Sequence, residues 1–304
     1  MFFKVGTRIY GNGYAVPVDE SGNEIQLSLP ESDLVVHYDI GDANGYDAGA
    51  GIIRNLSPNP DAAFADMQVL GGTVELTPNG FLAFDGVSTY AEAIGTHSDL
   101  WRLMNFDGNK SFTIYGSFYS SARASAGISF GKFGGYDLFQ RQSYDSPNAK
   151  FGVHDIWDDG RTDDFVNYFP TETDFGPQTN EWFQAGLRVT YIDDGSDQSK
   201  VEFLFNGKSL ETWLNEYTGP TGENGEPLEA GPARFAFFEG THKIGDLQWN
   251  IEPTSWKIEP FRMGRHSIND YYAPNVVSYF AQYSRSITDT ELLELHDYHQ
   301  VRFQ

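Results

Sequence analysis

The segment "YSRSITDTELLELHDYHQVRF", Tyr283 to Phe303, decides how the rest of the chain is read. Thr288 stands where a helix N-cap belongs, and Glu291 three residues on completes a capping box. Ile287, just before the cap, is placed to pack on Leu292 as a hydrophobic staple. Asp289 and Glu291 suit the positive end of the helix dipole. Leu292, Leu295 and Tyr298 form a narrow apolar stripe. So short a helix is marginal alone and must dock on something larger.

What precedes it reads as strands and turns. In 304 residues, hydrophobic residues make up 39% and aromatics 15%, enough for a substantial core. The 32 glycines supply turns, and 24 Phe, 17 Tyr and 6 Trp favour strands. Net charge is −23, with pI near 4.5. Such a chain is repelled by phosphate backbones and anionic lipid, which argues against direct nucleic-acid binding. The absence of cysteine excludes disulfides, thiol catalysis and cysteine-ligated zinc. The first residues, "MFFKVGTRIYGNGYAVPV", carry no long apolar run after a basic patch and do not read as a signal peptide. No later run is long enough to predict a membrane span.

Residues 1–30 differ from the remainder. "VGTRIYGNGYAVPV" and "NEIQLSL" flank the turn formers "DESG", which predicts an extended hairpin or arm ending at Pro30. From Leu34 short strand candidates follow closely: "DLVVHYDI", "GFLAFDG", "TYAEAI", "SFTIYGSFYS", "AGISFGKF", "YDLFQRQ", "FQAGLRVTYI", "KVEFLFNGKSL" and "ARFAFFEG". In "SFTIYGSFYS", Phe112, Ile114 and Phe118 are expected to share a face. Asn206-Gly207 after an alternating run is a strong hairpin signal. "YTGPTGENGEPLEAGP", Tyr217–Pro232, reads as an exposed loop. The expectation is one domain over residues 31–304, an all-β sandwich or barrel.

Four stretches together resemble the laminin G-like branch of the concanavalin A-like jelly rolls. "LVVHYDIGDANGYDAGAGIIRNLS" (Leu34–Ser57) resembles the family's opening strand, Asp-containing loop and "DLS"-like turn, with Asn55 in place of that Asp. "GFLAFDGVSTYAEA" (Gly80–Ala93) resembles its "FDG…DY" hairpin. "EWFQAGLRVTYIDDGSDQSKVEFLFNGKSL" (Glu181–Leu210) resembles its "W…V…TY…YVNG" pair. "FRMGRHSIND…VSYFAQYSRSITDTELLELHDYH" resembles its closing "IGR…YNRALSDAEI" segment. The resemblance leaves the first 30 residues uncovered. It implies a two-sheet antiparallel jelly-roll sandwich with adjacent first and last strands, Tyr283 and Arg285 at the closing corner, and the helix as a clasp sealing one end.

Such a fold serves many functions, so function is argued from sites. Jelly-roll glucanases place three carboxylates on one strand face as Glu-x-Asp-x-x-Glu. Glu31-Ser32-Asp33 and Glu172-Thr173-Asp174 both lack the final Glu. "WFQAGLRVTY" is similar to an alginate-lyase strand, but its Arg-rich and Gln-x-His partners are missing. Gly127-Ile128-Ser129-Phe130-Gly131 matches a nucleophile elbow, yet strand-like sequence follows where a helix is required. The seven histidines show no close metal-binding spacing, and His37 reads as a packed residue. No catalytic residue is assigned.

Calcium is the metal the sequence favours, because hard cations need several oxygens from a loop. Asp39, Asp42, Asn44 and Asp47 are the first candidates; Asp193, Asp194 and Asp197, and Asp158, Asp159, Asp163 and Asp164, form two further clusters. Trp157, Trp213, Tyr271 and Tyr272 are the candidate ligand-binding aromatics, suited to stack on sugar rings, with subunit contacts as the rival reading. The resemblance, taken with the N-terminal arm, the lack of a signal peptide and the acidic, cysteine-free composition, implies a non-enzymatic virion structural protein of a bacteriophage, a capsid decoration, fibre or tail-associated component displaying the jelly roll, with host-glycan adhesion. The alternatives are a stand-alone lectin module and, behind it, a glycan hydrolase or lyase. The expected partners are other virion proteins through residues 1–30, surface glycans and further copies of the chain in a homo-oligomer, with no nucleic acid and no membrane insertion. Assembly is expected in the host cytoplasm and action outside the cell.

Overall fold

The structure is a computed structural model that describes residues 6–9, 15–18, 29–76, 81–96, 111–119, 137–142, 149–154, 166–168, 182–194, 198–209, 212, 240–243, 262–265 and 276–300. The strands in chain order are β1 (Gly6–Ile9), β2 (Ala15–Val18), β3 (Leu34–Asp39), β4 (Tyr46–Asp47), β5 (Ile52–Ile53), β6 (Met67–Leu70), β7 (Glu75–Leu76), β8 (Leu82–Ala83), β9 (Tyr90–Ala93) and β10 (Phe112–Tyr119). They continue as β11 (Asp137–Gln142), β12 (Ala149–His154), β13 (Val166–Tyr168), β14 (Trp182–Ile192), β15 (Gln198–Phe205), β16 (Lys208–Ser209), β17 (Gly240–Lys243), β18 (Arg262–Met263) and β19 (Val276–Tyr283). A helix, Asp289–Gln300, follows β19.

The fold is an all-β antiparallel sandwich with a short C-terminal helix. The larger sheet runs β16-β15-β14-β10-β19-β8-β7, with β17 on β15 and β3 on β19. The second sheet runs β18-β9-β6-β5-β4. The opening strand β3 pairs with the closing strand β19, Tyr38 opposite Phe280 and Ala281 opposite His37. The chain therefore closes on itself as the resemblance implies. β11, β12 and β13 form a separate three-stranded sheet.

Strand alternation divides the larger sheet into two faces. Phe112, Ile114, Tyr38 and Phe280 lie on the sandwich face and are fully buried. The Tyr38 ring stacks on Phe280, and its hydroxyl donates to the Ala65 carbonyl at 2.5 Å, two residues before β6 begins. The other face carries Tyr115, Leu204, Tyr279, Ala281 and Tyr283, which form a second core with Ile287, Leu292 and Leu295. In β10 every residue from Phe112 to Ser117 is consequently buried. Sequence alternation predicts one wet face there, and the helix removes it. The helix lies across this face instead of sealing one end of the sandwich.

The helix start is the capping box expected. Glu291 N–H donates to Thr288 Oγ1 at 3.2 Å, and Thr288 N–H donates to Glu291 Oε2 at 2.8 Å. Arg285 adds a fork to both Glu291 oxygens, at 2.9 and 2.7 Å. It also donates to the Ser32 carbonyl at 3.1 Å, which fixes the closing corner. The apolar stripe continues from Leu292 and Leu295 to His299, and the predicted Tyr298 is displaced from it. Residue 299 completes an i, i+3, i+7 row facing the sheet; residue 298 falls to its side.

Polar bonds fix the helix along its length. Arg188 donates to Ile287 O at 2.9 Å and Asp289 Oδ1 at 2.7 Å. It also forks onto Glu202, at 3.0 and 3.1 Å. Burial alone would raise the Glu202 carboxyl, but bonds from Arg188 and Lys200 hold it below its ordinary range. At the far end Gln184 Nε2 donates to His296 O at 3.2 Å, while its Oε1 accepts from the Tyr279 hydroxyl. The Asn206-Gly207 hairpin forms as predicted, with φ values of 44° and 80°. Gly207 N–H donates to the Tyr115 hydroxyl at 2.7 Å. A Cβ on Gly207 would lie 2.9 Å from His296 Cγ, so the turn sits directly against the helix.

Within residues 1–30, β1 pairs with β2, Gly6 opposite Val18 and Ile9 opposite Ala15. This pairing lies within the first flank, "VGTRIYGNGYAVPV"; the "DESG" turn and, but for Leu29, the "NEIQLSL" predicted to follow lie outside the described residues. Leu29 packs against the helix-side core.

Candidate functional site

The segment between β3 and β6 builds an open cleft of about 800 Å³. One wall is the β4–β5 hairpin, where Tyr46 pairs with Ile53 and Asp47 with Ile52. Arg54 follows directly, and its N–H donates to Gly45 O at 2.9 Å. The opposite wall is the turn around Pro60, Ala62 and Ala63. Gly45 has no substitute, because a Cβ there would lie 1.7 Å from the Asp39 carbonyl oxygen.

Arg54 is the centre of the cleft. Its guanidinium meets Asp66 Oδ2 at 3.1 Å and Asp47 Oδ2 at 3.5 Å. Asp66 is buried and also accepts the Asn55 N–H at 2.7 Å. Asp47 is half exposed and accepts the Ala50 N–H at 3.0 Å. The arginine is 42% exposed, so its remaining donors face the cleft. Tyr46 is half-buried beside it; burial and the adjacent Asp47 both push its hydroxyl pKa up, so it stays a neutral donor. Asn44 lies at the rim and Leu56 and Pro60 offer apolar surface. A planar ring, an apolar patch and hydrogen-bonding groups of both senses are the parts that bind a hydroxylated ring.

Asn55 anchors the cleft to the sheet. Its Oδ1 accepts from His37 N at 2.7 Å and Ser57 N at 3.2 Å. Its Nδ2 donates to Val35 O at 3.0 Å and Ala62 O at 3.1 Å. A carboxylate could not make the last two bonds, which accounts physically for Asn55 where the resemblance leads one to expect Asp.

The residues named from sequence fall in different places. Asp39 is 1% exposed and its Oδ1 caps its own turn, accepting from Gly41 N and Asp42 N. Asp42 accepts from Asn44 N at 2.8 Å. Asn44 and Asp47 line the cleft, whereas Asp39 and Asp42 do not. The four do not gather around one point. Among the described residues, the group of three or more His, Asp or Glu with ligand atoms within 4.8 Å is His37, Asp39 and His299. Trp157, Trp213, Tyr271 and Tyr272 lie outside the described residues, as do Asp158, Asp159, Asp163, Asp164, Asp197, the second Glu-x-Asp run and the elbow-like Gly127–Gly131. Sequence reasoning missed Tyr46, Arg54 and Asp66. The alternation Tyr46-Asp47 and Ile53-Arg54 around a glycine-rich turn is the signal that could have found them.

No family model matches the chain, and no curated protein matches it. Solved structures do. A mutant of HCR/D aligns with a TM-score of 0.50 and 10% identity over 88% of this chain and 52% of its own. The receptor-binding domain of botulinum neurotoxin C/D mosaic serotype aligns at 0.49 and 10% identity, over 88% of this chain and 51% of its own. A Trypanosoma rangeli sialidase in complex with 2,3-difluoro-KDN aligns at 0.46 and 14% identity, over 91% and 34%. The chain thus spans about half of the first two and a third of the sialidase. At these identities the likeness concerns the sandwich fold alone.

Proposed function

We propose that this chain is a non-enzymatic β-sandwich display protein that binds a neutral glycan in the Arg54 cleft. The observation that carries the reading is the cleft itself: one half-exposed aromatic ring, Tyr46, beside an arginine held between two carboxylates. Arg54 donates to sugar hydroxyls and Asp47 accepts from them, while Tyr46, Leu56 and Pro60 cover the apolar ring face. The net charge of −23 disfavours sialylated or sulfated glycans and favours neutral ones. A glycan array followed by titration calorimetry tests this. Saturable binding to a neutral glycan, lost in Arg54→Ala and weakened in Tyr46→Ala, supports it; a hit that survives Arg54→Ala overturns the site. Release of reducing sugar from that glycan would overturn the non-enzymatic reading.

The place of action we propose is a bacteriophage virion, with residues 1–30 as the attachment arm. The β1–β2 hairpin and the laminin G-like motif order support this, since a short hairpin without its own core gains most by pairing with a neighbour. Deleting residues 1–30 should leave a folded, glycan-binding domain that no longer assembles. Normal incorporation of the truncated chain into particles would refute the arm.

A further inference from the structure

We propose that His37, Asp39 and His299 form a buried site for a divalent transition-metal ion, zinc above all. The three come from opposite ends of the chain. His37 and Asp39 alternate along β3, so both project to the helix-covered face of the larger sheet. The register sets them beside Ala281 and Tyr279, which belong to that face. His299 descends onto them from the last turn of the helix. It stacks on Tyr279 with ring centroids 3.4 Å apart and meets His37 edge-on at 5.6 Å.

All three residues are buried, at 4%, 1% and 0% exposure. Their ligand atoms lie within 4.8 Å of one another, and His299 Nδ1 is 3.9 Å from Asp39 Oδ2. Tetrahedral zinc with bonds near 2.0–2.1 Å needs ligands about 3.3 Å apart. The His299–Asp39 pair, at 3.9 Å, is about 0.6 Å wider than that, so a bound ion would draw the two side chains together. Two imidazoles and one carboxylate form a three-ligand zinc set that leaves one position for water. Imidazole selects zinc, cobalt or nickel over calcium, which takes oxygen ligands only. The cation suited to Asp39 is therefore of a different class from the one its loop suggests in sequence.

The surroundings orient this set. Gly41 and Asp42 N–H groups hold Asp39 Oδ1 and turn Oδ2 toward His299. Asn55 fixes the His37 backbone. The C-terminal end of a helix favours a cation. A metal here would tie the first strand of the domain to its last element. Because the group is buried, metal must enter as the chain folds.

The test uses the full chain, refolded with zinc or cobalt(II) and with chelator. The expected results are one zinc per chain by elemental analysis and a tetrahedral cobalt(II) visible spectrum. The melting temperature should rise by at least about 3 °C over the chelated protein at about 100 μM metal. His299→Gln should abolish all three. His37→Gln, which keeps the backbone bond to Asn55, serves as a second variant if the first fails to fold. Substoichiometric metal with no thermal gain in the wild type overturns the site. So does an unchanged cobalt spectrum in a folded His37→Gln or His299→Gln protein.

Discussion

Replacing Glu291 by alanine should destabilise the domain by about 2 kcal/mol, and the structure shows where that figure arises. The change deletes the acceptor of Thr288 N–H, an exposed bond to a charged group at 2.8 Å, worth about 1.5 kcal/mol at the low end of such bonds. It also deletes the Arg285 fork, at 2.9 and 2.7 Å. Thr288 Oγ1 still caps residue 291, because that bond uses the backbone. The Arg285 bonds, reinforced by Thr288, hold the Glu291 carboxyl at about 2 against a usual 4.5. A displacement of that size corresponds to at most about 3.4 kcal/mol. Both side chains are about a quarter exposed, and solvent screening reduces the charge contribution to about 1 kcal/mol. The sign follows from the direction: a lowered carboxyl stabilises above 4.5, and the contribution is lost as pH falls from 4.5 toward 2. Denaturant melts of wild type, Glu291→Ala and Glu291→Gln at pH 7 and pH 3 measure this. Glu291→Gln should cost about 1 kcal/mol at pH 7 and distinctly less at pH 3. An equal cost at both values would refute the charge-clamp account, and a loss below about 0.5 kcal/mol in Glu291→Ala would refute the cap account as well.

Three further outcomes are expected. Arg188→Ala leaves the buried Glu202 with only the half-exposed Lys200 as partner and should cost about 3 kcal/mol, whereas Arg188→Met with Glu202→Leu should recover most of it in chemical denaturation. Gly207→Ala forces a side chain onto a φ of 80° and against His296; a loss of about 2 kcal/mol in the melting curve is expected. Asn55→Asp removes the donors to Val35 O and Ala62 O and buries a charge. It should lower stability by about 3 kcal/mol and weaken binding in the Arg54 cleft, read by calorimetry.

Much of the frame was legible because its signals are local. The Thr288–Glu291 box, the Ile287 and Leu292 packing and the Asn206-Gly207 turn each depend on residues a few positions apart. The candidate site was half legible. Asn44 and Asp47 stood out as loop oxygens, and both line the cleft. Arg54 and Tyr46 did not stand out, since their adjacency depends on the β4–β5 register. The far wall depends on Asn55 reaching Ala62.

The sequence by itself determined the element types, the hairpin and the capped helix, because backbone preference and hydrophobic period act over a few residues. Tertiary structure alone decided that the helix covers a sheet face, burying both sides of β10. It also decided that Asp39 turns from its acidic loop toward His37 and His299. Those outcomes depend on which faces pack together. Residues near opposite ends of the chain meet only when β3 pairs with β19, and the helix after β19 then has a single apolar face on which to dry its stripe.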